Sequence, residues 1–105
     1  MNDQEFELMC GYCEDQELTS IWGWISTYGR TYDERVDCFM NVLRRLLVEE
    51  RIRLINMHTK IPMEGSVEEQ LRSYRALFPT SDLEMNDGFW FFSEQCPGGS
   101  AWQHR

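Results

Sequence analysis

Residues 31–56 read TYDERVDCFMNVLRRLLVEERIRLIN, and the fold turns on where this run changes its period. Thr31-Tyr-Asp-Glu34 is a capping box: the threonine hydroxyl accepts the backbone N–H three residues on, and the glutamate reaches back. From there Val36, Phe39, Met40, Leu43, Leu46 and Leu47 recur at helical spacing and share one apolar face. After Glu50 the period falls to two. Arg51-Ile-Arg-Leu-Ile-Asn56 alternates polar with apolar, the pattern of a half-buried strand.

The flanking sequence reads outward from this pair. Upstream, Phe6, Met9, Cys10 and Cys13 fall at helical spacing within residues 3–13. A second stripe runs Leu18, Ile21, Trp22, Ile25, Tyr28 and stops at Gly29, which reads as a C′ residue at positive φ. Downstream, residues 56–65 form a loop punctuated by Pro62 and Gly65. Ser66-Val-Glu-Glu69 is another capping box; its helix carries Val67, Leu71, Tyr74, Leu77 and Phe78 and ends before Pro79. Phe89-Trp-Phe-Phe92 reads as an aromatic strand. Cys96-Pro-Gly-Gly99 reads as a type II turn with Gly98 at positive φ, and Ser100-Ala-Trp-Gln-His104 as the returning partner strand. The expectation is one α+β domain spanning 1–105, with three or four helices packed on a small, mostly antiparallel sheet of about three strands. In that hairpin Phe89 and Phe91 face one way, Trp90 and Phe92 the other. Helices covering both faces is the favoured reading, and an aromatic binding face the alternative.

Charge narrows the class of partner. The chain has 105 residues, is 42% hydrophobic and carries a net charge of −8. Asp3, Glu5, Glu7, Glu14, Asp15 and Glu17 lie in the first twenty residues, with no Lys or Arg among them. Nucleic acids and anionic lipid need basic groups to displace their counterions, so neither is an expected partner. A basic protein would be attracted. The alternative is a merely solvated acidic helix. No signal-peptide pattern and no apolar run of membrane-spanning length is present, so a cytoplasmic protein with reduced thiols is expected.

Residues 9–17, MCGYCEDQE, invite a redox or zinc reading. A redox Cys-x-x-Cys follows a strand and opens a helix; here the preceding residues are themselves helical. Zinc needs four ligands, and Cys38 and Cys96 form no second pair. Packing of Cys10 and Cys13 with Phe6 and Met9 is the favoured reading, so no metal and no cofactor is expected. His58, His104, Asp87 and Glu94 are the only residues that suggest acid–base chemistry, and a solvated loop end explains them more simply. No phosphate loop, nucleophile elbow or metalloprotease helix occurs.

The run Phe89-Trp-Phe-Phe-Ser-Glu-Gln-Cys-Pro-Gly-Gly-Ser-Ala-Trp102 resembles the C-terminal signature of a family of small bacterial proteins. Leu43-Arg-Arg-Leu-Leu leading into a strand, and Gly65-Ser-Val-Glu-Glu-Gln70 opening a helix that ends at Phe78-Pro79, extend the likeness to roughly residues 18–104. The resemblance implies an immunity protein of a contact-dependent growth inhibition system, one that binds and neutralises a toxin domain, often a nuclease. The motif residues imply structure and no catalysis, so no enzymatic activity is expected. An acidic inhibitor suits a basic nuclease. The expected partner is a basic toxin domain, with Asp3, Glu7, Glu14, Asp15 and Glu17 as expected contacts. Along a helix over 3–17, Asp3, Glu7, Glu14 and Glu17 would project together, unless Gly11 breaks it. The alternatives are an adaptor or regulatory protein-binding domain and, less favoured, a small enzyme.

Overall fold

The computed structural model describes residues 1–104. Helix α1 (Asp3–Cys13) opens on Asn2, whose side chain accepts from the Glu5 N–H at 2.8 Å while Glu5 accepts from the Asn2 N–H at 3.0 Å. It buries Phe6, Met9, Cys10 and Cys13, and Gly11 stays helical within it. Helix α2 (Leu18–Ile25) buries Leu18, Ile21, Trp22 and Ile25, then tightens into a 3-10 turn over Ser26–Tyr28. Helix α3 (Tyr32–Val48) opens on the Thr31–Glu34 capping box and runs into strand β1 (Ile52–Ile55). Helix α4 (Val67–Leu77) opens on the Ser66–Glu69 box and ends before Pro79. Helix α5 (Asp82–Met85), a 3-10 segment over Asn86–Phe92, and strand β2 (Gly99–Trp102) complete the chain. The class is α+β; the described residues form five α-helices in place of the expected three or four and two antiparallel strands in place of about three.

The sheet pairs β1 with β2: Ile52 faces Trp102, and Leu54 faces Ser100. The expected aromatic strand does not exist. Asn86, Asp87 and Gly88 take φ of 52°, 53° and 91°, and this left-handed run turns the chain into a 3-10 coil. The period there is three: Phe89 and Phe92 stand 66% and 63% exposed, while Trp90 and Phe91 are buried. An alternating strand would have separated those two buried neighbours. Gly88 is needed twice, for its φ and because a Cβ there would lie 2.7 Å from the Thr19 methyl.

Two further glycines differ from expectation. Gly29 is extended, with φ of −148°; a Cβ on it would lie 2.8 Å from the Arg35 backbone nitrogen. Gly98 is not at positive φ either, so Cys96–Gly99 is not the expected type II turn. Its Cβ would meet the Ile55 carbonyl at 3.0 Å and the Met63 sulfur at 3.2 Å. Both glycines serve close approach of chain to chain.

The core centres on Trp22, whose ring lies 5.7 Å from Phe78, 5.8 Å from both Tyr32 and Phe39, and 6.4 Å from Phe91. Residues from α2, α3, the C-cap of α4 and the 3-10 segment thus share one aromatic cluster. Each such side chain contributes about 1.5–3 kcal/mol by leaving water. Among the described residues no helix is long and apolar enough to cross a membrane.

Candidate functional site

The C-terminal half of α1, the end of α3 and the end of β2 converge on an open groove of about 690 Å³. Glu7 and Glu14 come from α1 and its C-cap, Glu49 and Glu50 from the α3–β1 turn, and Trp102 to His104 from the end of β2. Four carboxylates therefore line it against one guanidinium, Arg51, and one imidazole, His104.

Helix geometry explains the placement of the basic residues. Arg45 and Arg51 flank the end of α3, and both guanidiniums lie over the Phe6 ring, at 3.9 and 5.3 Å from its centroid. Arg45 donates to Glu49 at 2.6 Å and Asp3 at 2.9 Å. Arg51 donates from Nε to Glu49 at 3.1 Å and grips Glu7 with both terminal nitrogens. The result is a continuous chain Asp3–Arg45–Glu49–Arg51–Glu7. Hydrogen bonding to Arg45, more than any other cause, holds the Glu49 carboxyl below its ordinary range. These exposed pairs contribute little stability individually. They fix where the carboxylates stand.

The outer lip is different. The described chain turns at Asp15, which takes φ of 63°. His104 Nε2 lies 2.8 Å from Asp15 Oδ1, and Nδ1 lies 3.5 Å from Glu14. The hydrogen bond to Asp15 is the main cause that raises the His104 pKa above its ordinary value.

The five expected contact acids are therefore dispersed. Glu7 and Glu14 line the groove, and Asp15 joins its lip through His104. Asp3 stands outside on Arg45, its side chain 92% exposed. Glu17 lines a second cleft of about 430 Å³ with Met57, His58, Phe92, Glu94 and Cys96. The expected single helical face fails because α1 ends at Cys13, so residues 14–17 leave its surface. Glu49, Glu50 and His104 are the groove residues that sequence reasoning missed. The acidic pair closing the long helix was the available signal.

Cys10 touches the groove from the core side. Burial raises the pKa of both Cys10 and Cys13, which makes them poor nucleophiles near neutrality. No cluster of three or more His, Cys, Asp or Glu able to hold a metal occurs among the described residues. His58 and Glu94 share the second cleft, whereas Asp87 lies in the left-handed turn and His104 in the groove. The four residues that suggested acid–base chemistry are thus not brought together.

A solved structure from Neisseria meningitidis, described as an uncharacterized protein conserved in bacteria, is similar in fold. Its TM-score is 0.82 at 20% identity, covering 97% of this chain and 78% of that one. At that identity the likeness speaks for the fold alone. No curated protein matches. Residues 47–105 match the family described as Protein of unknown function, DUF596.

Proposed function

The chain belongs to the DUF596 family, and we propose, from its acidic groove, that it is an immunity protein that binds and neutralises a basic toxin domain, a nuclease, of a contact-dependent growth inhibition system. The observation that carries this reading is the open groove that Glu7, Glu14, Glu49 and Glu50 line around Arg51. A nuclease holds phosphates with cationic side chains. A rigid array of carboxylates can occupy the same cations and steer the encounter. The Arg45 and Arg51 pairs make the array rigid before binding, so less side-chain entropy is lost on association. We read the protein as a cytoplasmic binder and not an enzyme, acting where a delivered toxin would arrive.

The test is co-expression with the toxin domain encoded beside it at its native locus. The reading predicts restored growth and a stoichiometric complex that weakens as salt rises. Undiminished toxicity, with no complex at low ionic strength, would refute it.

A further inference from the structure

We infer that the outer edge of β2 is a docking site for an extended, basic segment of a partner protein. This rests on the reading of the chain as a binder of a basic protein, and it specifies the partner's conformation.

A two-stranded sheet has two outer edges. That of β1 is occupied: the Met63 N–H donates to the Leu54 carbonyl at 2.8 Å, and the Asn56 N–H to the Ile61 carbonyl at 2.9 Å. That of β2 is open. The Gln103 N–H donates to the Arg51 carbonyl at 2.8 Å, which with the register fixes the alternation of the ladder. Residues 99, 101 and 103 direct their backbone groups at β1. Ser100 and Trp102 direct theirs away. Among the described residues nothing pairs with those two N–H and two C=O groups.

The edge is also held in place. Ser100 Oγ and Trp102 Nε1 both donate to the Gln16 carbonyl, at 3.1 and 3.0 Å. This pins the α1–α2 loop beside the strand and fixes its register. An unpaired edge of this kind is a template for another strand, and main-chain pairing of this type is a recurrent way to bind extended segments.

Charge selects the occupant. The loop pinned to β2 carries Glu14 and Asp15 toward the groove, which Trp102 also lines, and Glu17 toward the cleft that Gly98 lines. Two copies of this chain pairing through β2 would bring two such acidic loops together, and like charges oppose that arrangement. A segment alternating Lys or Arg with apolar residues would satisfy the four backbone groups and place its cations among these carboxylates.

The test uses a capped peptide of alternating Lys and Val, its Glu–Val counterpart, and a Lys–Val peptide N-methylated at every residue, which leaves neither edge able to pair. Amide exchange and chemical shifts of the protein are followed by NMR. The Lys–Val peptide is expected to slow exchange at Ser100 and Trp102 by about tenfold or more, and the N-methylated peptide is expected to leave both amides unprotected. Ser100→Pro removes an outward N–H without touching the β1 ladder and should abolish the protection at Trp102; Ser100→Ala should retain it. If Ser100→Pro does not fold, the N-methylated peptide carries the test alone. The proposal is overturned if either amide is already protected in the free protein, or if Ser100→Pro binds like the parent. Shifts confined to Glu7 and Glu14 would overturn the edge while leaving the acidic-groove reading intact. Equal protection by the Glu–Val peptide would instead overturn the basic-partner reading.

Discussion

The Tyr74 hydroxyl donates to the Gly98 carbonyl at 3.0 Å and ties the middle of α4 to the residue that precedes β2. The same hydroxyl lies 3.1 Å from the Cys96 sulfur. Tyr74 is fully buried, and burial pushes its pKa well above the ordinary tyrosine value, so it remains a neutral donor. Tyr74→Phe keeps the ring and removes the donor. It should lower unfolding free energy by about 1–2 kcal/mol, the cost of a lost buried hydrogen bond, read as a lower urea midpoint with unchanged slope.

Gly88→Ala should be costly for two reasons that a double mutant separates. The φ of 91° disfavours any side chain, and the added carbon meets Thr19 at 2.7 Å. The single variant should lose at least about 1 kcal/mol. Thr19→Ser in the same chain, which removes the methyl and keeps the hydroxyl that donates to the Gly88 carbonyl at 3.3 Å, should recover the steric part and leave the conformational part, measured as a coupling energy in a double-mutant cycle. Strict additivity of the two changes would show that the contact costs nothing.

Gly98→Ala should also destabilise, by about 1 kcal/mol or somewhat more, because its Cβ is directed at the Ile55 carbonyl at 3.0 Å. Replacing Gly98 with D-alanine by chemical ligation, which would relieve a positive-φ position, should bring no rescue. Rescue by D-alanine would contradict the close-approach account.

His104 makes stability depend on pH in a stated direction. Its pKa is raised above the ordinary 6.5, first by the hydrogen bond to Asp15. A raised histidine pKa means that the folded state binds the proton more tightly. The stabilisation is complete below the ordinary value of 6.5 and is lost as pH rises through the folded-state value above it. An NMR titration of the imidazole should therefore have its midpoint above 6.5, and His104→Gln should remove this part of the pH dependence. Because the imidazolium partly neutralises the groove, affinity for a basic partner should rise over the same window as the proton leaves.

Capping boxes and helical periodicity were legible because they are local. Thr31 with Glu34, Ser66 with Glu69 and the α3 stripe depend on residues a turn apart, and each is where its spacing predicts. The aromatic segment was misread because Phe-Trp-Phe-Phe has strong strand propensity, whereas its conformation is set by three preceding left-handed residues and by burial against Trp22. Gly29 and Gly98 carried the right residue for the wrong reason: a sequence shows that a side chain is excluded, but not whether φ or a neighbour excludes it. The acidic groove was half visible. Glu7 lies on α1 as its spacing implies and Glu14 reaches the groove from the C-cap beyond it, but the Glu49, Glu50 and His104 contributions depend on how α3 and β2 pack against α1.

If the acidic groove guides a basic toxin domain, association between the two must depend on salt. The informative variant is Glu14→Gln with Asp15→Asn, which leaves the Glu7–Arg51 and Glu49–Arg45 pairs intact and keeps a residue suited to the left-handed turn at position 15. Stopped-flow association of parent and variant, measured across ionic strength, is predicted to show slower binding by the variant at low salt, by about threefold to tenfold, with a flatter salt slope and convergence at high salt. Identical association rates at every ionic strength would contradict the claim that the acidic groove guides and holds a basic partner.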